Sequence, residues 1–423
     1  VKRAGLLLGI ACAALAAGCL KIPLVKPEYE KLVPPVTAYL NATDPQEENR
    51  LLTDLMKFPV PELAAALKAP REFAPAPTGR LPDQELSLKG GLYRYGLYVP
   101  KDYSSRSAYP LLVCLHGAGF DGDTYLDRWA PRLGDRYILA CPTVEFGAWW
   151  TREAEALVLA VIWEVTRNYR VDSNRVFLSG MSNGAIGTYL IGLNHVDRFA
   201  ALNPMSGPLP GPLLMLLKNA RTTPFYIIHG SRDQVIPARY SQEVWAYLLE
   251  LGYRVEYHQH DRTHPLAGGH FFPAEELPGL VKWLDRQQRD PNPKKITMVR
   301  DRDHPGRSYW IRIDEVDPVV ASFWDSETNP TETEKLKAGL YATVQAEVKS
   351  GNEIEITSKY VNRLTVLLNE DLVDFARPVI IKSNGAVRFE GMVTSDAGVL
   401  LEEARRRPDP DALVWAAVEI VIN

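Results

Sequence analysis

The stretch Gly180-Met181-Ser182-Asn183-Gly184 places a serine between two glycines, after the apolar run RVFLS and before AIGTYLIGL. The first run reads as a buried strand and the second as a helix. A serine at such a turn fits the G-x-S-x-G elbow, where a sharp backbone bend presents the hydroxyl. That hydroxyl is a poor nucleophile until a base takes its proton and a third group orients the base. Asp233, in IIHGSRDQVIP, follows 51 residues later (233 − 182), enough for one strand and one helix between them. His270, in AGGHFFP, follows after a further 37 residues (270 − 233), again with room for a helix and a strand. The order Ser182, Asp233, His270 is the one such an elbow uses. Glu243 falls inside a helical stretch and Asp261 lies too close to the base, so Asp233 is the expected acid. His258 and His260 alternate along a strand, whereas His264 shares a loop with His270 and competes with it. The pair Gly268-Gly269 favours His270, because it suits a loop that must carry an imidazole over the elbow.

An oxyanion formed at this serine needs preorganised donors. The backbone N–H of Asn183 is one candidate, and that of Ala118 in HGAGF is the other. His116 reads as a residue that holds this loop. Trp149 and Trp150, in EFGAWWT, are expected to line the substrate pocket. No Cys/His cluster has zinc spacing.

The elements that position these residues alternate. YRYGLYVP, YPLLVCLHG, YILACP, RVFLSG, AALNPMS, PFYIIHG and RVEYHQH read as strands, with amphipathic helical stretches between most of them and after the last. Continuous apolar strands separated by helices make a mostly parallel sheet covered on both faces. After RDPNPKK the texture changes to eight short, often alternating runs from ITMVRD to WAAVEIVIN, which suggests an all-β sandwich. Cys114 and Cys141 lie in apolar strands and read as two buried thiols.

Over 423 residues, 24% are charged and the formal net charge is −4, and no basic cluster interleaved with aromatics marks a nucleic-acid surface. Lys2 and Arg3, an apolar run to about Leu15 and the ending LAAGC form an export signal that resembles a bacterial lipobox. Cys19 is then the lipidated residue, and the implied location is the bacterial cell envelope, exported and lipid-anchored.

LHGAG, NRVFLSGMSNG, HGSRDQVIP and GGHFFP resemble the α/β-hydrolase superfamily in order and spacing. Within it, the lead YRVDSNRVFLSG resembles secreted esterases related to polyhydroxybutyrate depolymerases and feruloyl esterases. The likeness covers about residues 85–288 and implies nucleophile Ser182, acid Asp233, base His270, an ester substrate and no cofactor. Ala185 departs from the glycine pair commoner after the serine. The expected organisation is a signal at 1–18, a tether and helical extension at 19–82, an α/β-hydrolase unit at 83–290 and a β-rich accessory unit at 296–423. A serine peptidase and an inactive binding lipoprotein are the alternative functions. In the last unit, Tyr309, Trp310 or Trp324 is a candidate platform for polymer or glycan contact, with a core place for at least one of them.

Overall fold

The computed structural model describes residues 27–422, apart from Glu72 and Pro305. The expected signal and Cys19 lie outside the described residues. The described chain begins with helices α1 (Pro27–Glu30), α2 (Val33–Asn41), α3 (Pro45–Leu55) and α4 (Val60–Lys68). Their boundaries follow local chemistry. Proline opens α2, α3 and α4 within the first two positions, and the Asp44 carboxylate caps α3 by accepting the Gln46 and Glu47 amides.

The next unit runs β1 (Gly79–Leu88), β2 (Gly91–Val99), β3 (Tyr109–Leu115), α5 (Gly122–Leu133), β4 (Ile138–Pro142), α6 (Arg152–Asn168), β5 (Val171–Met181) and α7 (Asn183–Asn194). It continues with β6 (Ala201–Met205), β7 (Phe225–Gly230), α8 (Arg239–Glu250), β8 (Val255–His260) and α9 (Leu277–Leu284). The eight strands form one sheet in the order β1-β2-β4-β3-β5-β6-β7-β8. The pairs β1/β2 and β2/β4 are antiparallel and the rest parallel. Alternate side chains of β3 face opposite cores. Leu111, Val113 and Leu115 pack with α6 and α7, whereas Leu112 and Cys114 pack with α5 and α9. Cys114 and Cys141 are both buried and unbridged.

β1 begins ahead of the expected boundary at 83. Its run GRLPDQELSL is largely polar, carries a proline, and shifts register between Leu81 and Gln84. An edge strand tolerates all three features, which also hide it from a periodicity reading.

The last unit comprises β9 (Lys295–Arg300), β10 (Arg307–Ser308), β11 (Ile311–Val316), α10 (Pro330–Lys337), β12 (Ala342–Lys349), β13 (Glu353–Lys359) and β14 (Val361–Leu368). It closes with β15 (Val379–Ser383), β16 (Ala386–Gly391), α11 (Ala397–Arg406) and β17 (Ala416–Val421). Two sheets form, in the orders β10-β11-β14-β17 and β16-β15-β13-β12-β9. The eight expected runs are all strands. The structure adds the two-residue β10 and the helices α10 and α11, so this unit is not purely β. The α11 side chains Leu400 and Leu401 share a separate core with Leu51, Leu55, Leu63 and Leu67, so the first helices clasp a helix near the far end of the chain.

The β unit does not hang from a linker. Its core is continuous with that of the eight-stranded sheet. The Asn219 amide bonds the Val299 backbone in both directions, at 3.2 and 2.6 Å. Tyr309 and Trp310 are no exposed platform. Both are buried, Tyr309 bonding Thr222 and the Trp310 indole donating to the Pro293 carbonyl. Tyr309 thereby ties the β unit to the sheet unit, while the Trp310 indole ties it to the connecting stretch, each polar tip finding a partner.

Candidate functional site

β5 ends in the middle of the sheet, and Ser182 turns the chain into α7 with φ +58° and ψ −121°. That left-handed value is strained for a side chain with a Cβ and persists only where surrounding structure enforces it. The enforcement is visible. The Ser182 amide donates to the Met205 carbonyl at 2.9 Å, and its carbonyl accepts from Ala185 at 2.9 Å. A Cβ on Gly180 would lie 2.1 Å from the Gly184 carbonyl oxygen, and one on Gly184 would lie 2.1 Å from that of Leu115. The two glycines therefore serve close backbone packing, not positive φ. Ala185 fits because residue 207 opposite is glycine, where a Cβ would lie 2.5 Å from the Ala185 methyl.

Asp233 follows β7, two strands along at the same carboxyl edge. Its Oδ2 lies 2.8 Å from His270 Nδ1, and its Oδ1 accepts the Val235 and Ile236 amides at 2.8 and 2.9 Å. The loop carrying His270 lies flat on the Asp233 turn. Gly269 donates to the Arg232 carbonyl, and Gly268 holds φ +56° where a Cβ would meet that same carbonyl oxygen at 2.1 Å. The glycine pair thus acts as expected. His264 bonds only its own loop, its Nδ1 accepting from the Leu266 amide. No hydrogen bond joins Ser182 Oγ to His270. Such contacts are often loose before substrate binds.

A second imidazole reaches the acid. His229, fully buried on β7, has Nε2 3.2 Å from Asp233 Oδ2 and 2.9 Å from the Ile236 carbonyl, while its Nδ1 meets Ser241 Oγ at 2.7 Å. Burial pushes the Asp233 pKa up. Hydrogen bonds from His229, His270 and the two amides outweigh it and hold the carboxyl well below the usual carboxylate range. The only sequence signal for His229 is HGSRD, which sets it four residues before the acid.

The Ala118 and Asn183 amides are both unengaged by any described acceptor, and Ala118 is exposed beside the elbow. His116 is fully buried. Its Nε2 accepts the Val144 amide, its Nδ1 donates to the Gly117 carbonyl, and the Trp149 indole donates to the His116 carbonyl at 2.7 Å. It therefore holds the loop.

The tryptophan pair needs correction. Trp149 is fully buried against Gly187 and His116 and cannot touch a substrate. Trp150 faces a cavity between the two units, shared with Leu190, Asn194, His304 and Trp324 near the far end of α7. The same loop also carries Phe146, 76% exposed at φ +54°, whose carbonyl accepts the side-chain amide of Asn183, the residue after the serine, at 3.1 Å. Leu266, 88% exposed, stands on the His270 loop, and Val235 follows the acid by two residues. Only their loop positions pointed to these residues.

Residues 151–272 match the family model described as Phospholipase/Carboxylesterase. A bifunctional acetylxylan esterase/xylanase, XynS20E of Neocallimastix patriciarum, is 29% identical over 172 residues, covering 38% of this chain and 24% of that protein. The chain thus spans about a quarter of the length of the curated relative it matches. Among solved structures, a thermostable esterase superposes with TM-score 0.42 and 22% identity over 49% of this chain and 62% of that one. A ferulic acid esterase from Anaeromyces mucronatus, solved with ferulic acid, superposes with TM-score 0.40 and 12% identity over 50% and 90%. With scores this low, the fold rests on the sheet order itself. That order, in the unit from β1 to α9, is an α/β-hydrolase fold, and it agrees with the family match over residues 151–272.

Proposed function

We propose that this chain hydrolyses carboxylic esters through Ser182, His270 and Asp233. The observation that carries the reading is the strained serine, held at the same sheet edge as a histidine already oriented by a buried carboxylate. In the proposed reaction Ser182 Oγ attacks the ester carbonyl carbon as His270 Nε2 takes its proton. Asp233 keeps the Nδ1 proton in place and stabilises the imidazolium. The oxyanion lies between the Ala118 and Asn183 amides, each such donor being typically worth about 2.7–4 kcal/mol. The C–O bond then breaks, His270 returns the proton to the leaving alcohol, and water resolves the acyl-enzyme by the reverse steps.

The matched relative's name includes acetylxylan, which supports acyl-saccharides as the first substrates to try. The exposed Phe146, Val235 and Leu266 support an apolar contact for the rest of the ester. The test is a fluorophosphonate probe with a panel of acetyl-sugar, hydroxycinnamoyl, aryl and polyester substrates and a proline-peptide set. Labelling and ester turnover that both vanish in Ser182→Ala support the reading. Peptide cleavage without ester turnover would favour a peptidase, and absence of labelling a binding protein. We also propose that Cys19 carries an acyl anchor in the cell envelope. Incorporation of an alkyne fatty acid, lost in Cys19→Ala, tests this.

A further inference from the structure

A buried imidazole outside the triad stands on the neighbouring strand. His260 ends β8 at the carboxyl edge of the sheet and is only 6% exposed. Neither of its ring nitrogens has a hydrogen-bond partner among the described residues. The Arg262 backbone lies near the ring without meeting hydrogen-bond geometry. Burial lowers the His260 pKa, with the Glu276 carboxylate opposing, so the ring is neutral near pH 7. A neutral imidazole offers one donor and one acceptor. Leaving both unmade in a buried place is costly, and such a group is retained where something satisfies it.

His260 lines a cavity of about 330 Å³ with Ser231, Gln259, Asp261, Arg262, Glu275 and Glu276. Small-molecule sites occupy roughly 300–1,000 Å³, so the space suits a small organic molecule. Ser231 follows β7, Gln259 and His260 close β8, and Glu275 and Glu276 belong to the turn that leads into α9. None of Ser182, Asp233 and His270 lines the cavity. Its charge is unbalanced, with three carboxylates against one guanidinium. Arg262 lies 3.7 Å from Glu275, and among the described residues Asp261 and Glu276 have no such partner. Carboxylates ahead of a helix suit its dipole, which accounts for Glu275 and Glu276 but not for Asp261 or the unpartnered ring. Among the described residues no three acidic, histidine or cysteine side chains are grouped to hold a metal ion, and an ion needs far less space. The occupant that fits the volume, the charge and the neutral ring is an organic cation with hydrogen-bonding groups of its own.

We propose that this cavity binds an organic cation that also carries hydroxyl groups, an amino saccharide or an amino alcohol, with Asp261 and Glu276 holding the ammonium group and His260 bonding a hydroxyl. A hydroxyl both donates and accepts, so it satisfies either nitrogen of the neutral ring, and Ser231 and Gln259 supply further partners at the rim. Ser231 precedes Asp233 by two residues and Glu275 follows His270 by five, so the occupant touches both loops that carry the acid and the base. The site is separate from Ser182 and does not depend on the hydrolase reading.

The experiment measures calorimetric binding and thermal melting of the whole protein with glucosamine, ethanolamine and neutral glucose. Low ionic strength is used because salt screens exposed carboxylates. In the wild type, at least one amine binds and raises the melting temperature, while glucose does neither. Binding of glucosamine alone identifies an amino saccharide, and binding of ethanolamine, with or without glucosamine, a small amino alcohol. His260→Leu lowers the affinity for the bound amine at least about tenfold. Glu276→Gln alters a half-buried side chain without changing its shape, so it keeps the fold and lowers the affinity to a similar degree. Binding of neither amine, equal binding of glucose, or unchanged affinity in either folded variant would overturn the proposal.

Discussion

The two edges of the eight-stranded sheet solve opposite problems with the same kinds of group. At the carboxyl edge, polar groups are held ready and left unspent: a serine at φ +58° and two amides without acceptors. At the amino edge, charges are consumed, with Arg289 on Asp409 and Arg407 on Asp197 tying two units together. Strain and unsatisfied donors are tolerable at the first edge because rigid parallel strands hold them and solvent reaches them. The second edge is roofed by another unit, so each charge there must find a partner or be costly.

The contrast can be broken experimentally. Ser182→Ala is expected to abolish fluorophosphonate labelling and lower ester turnover about 10⁴-fold or more, with the melting temperature unchanged. A large loss of stability would mean that the hydroxyl is structural. Arg289→Gln does the reverse. It removes the two-pronged partner of buried Asp409 and leaves only Arg407 Nη2 at 3.5 Å, and denaturant titration should show a loss of about 3 kcal/mol. Ester turnover, measured well below the melting point, should hold. Inactivity in a folded variant would erase the division between the edges.

A pH titration sharpens the comparison at the junction. Burial lowers the His304 pKa, but hydrogen bonds to Asp301 and Glu155 outweigh it and raise it to about 9. The ionised ring therefore stabilises the fold fully below its unfolded pKa of about 6.5, and that contribution fades as the pH rises through 9. Above it, Nε2 is left to accept the Trp324 indole N–H, 2.7 Å away. Thermal melts between these limits should show a fall on the order of 2 kcal/mol that His304→Gln lacks. An equal fall in that variant would exclude this histidine. The smallest effect belongs to Phe146→Ala, which should raise KM for aryl esters roughly 2- to 10-fold through lost contacts of ~0.5–1.5 kcal/mol. An unchanged KM would show that this ring does not meet the substrate.

Much of the site was legible in the chain because its parts are local signals. An elbow needs glycines where backbones touch, and a loop that folds flat onto a turn needs another pair. Ser182, Asp233, His270 and Gly268-Gly269 could be named on those grounds. Pocket residues carry no such mark. Trp149 and Phe146 stand three positions apart in one loop, and nothing in their types says which is buried and which faces out. Packing decides it, since Trp149 fits against Gly187 and His116 while Phe146 is left exposed. The same holds for Tyr309, whose burial depends on a partner surface formed more than eighty residues earlier, at Thr222.

By itself, the amino-acid order determined the alternation of strands and helices, the change of texture after residue 290 and the order of the nucleophile, acid and base. Periodicity and steric need at single positions are written within a few neighbouring residues. Only the tertiary structure decided that the polar run at 79–88 closes the sheet edge, that α11 gathers the first helices, and that His229 braces Asp233. It alone brought Arg289 to Asp409 and Arg407 to Asp197. Those relations join residues far apart in the chain, and their energies depend on burial and distance, which exist only once the chain is packed.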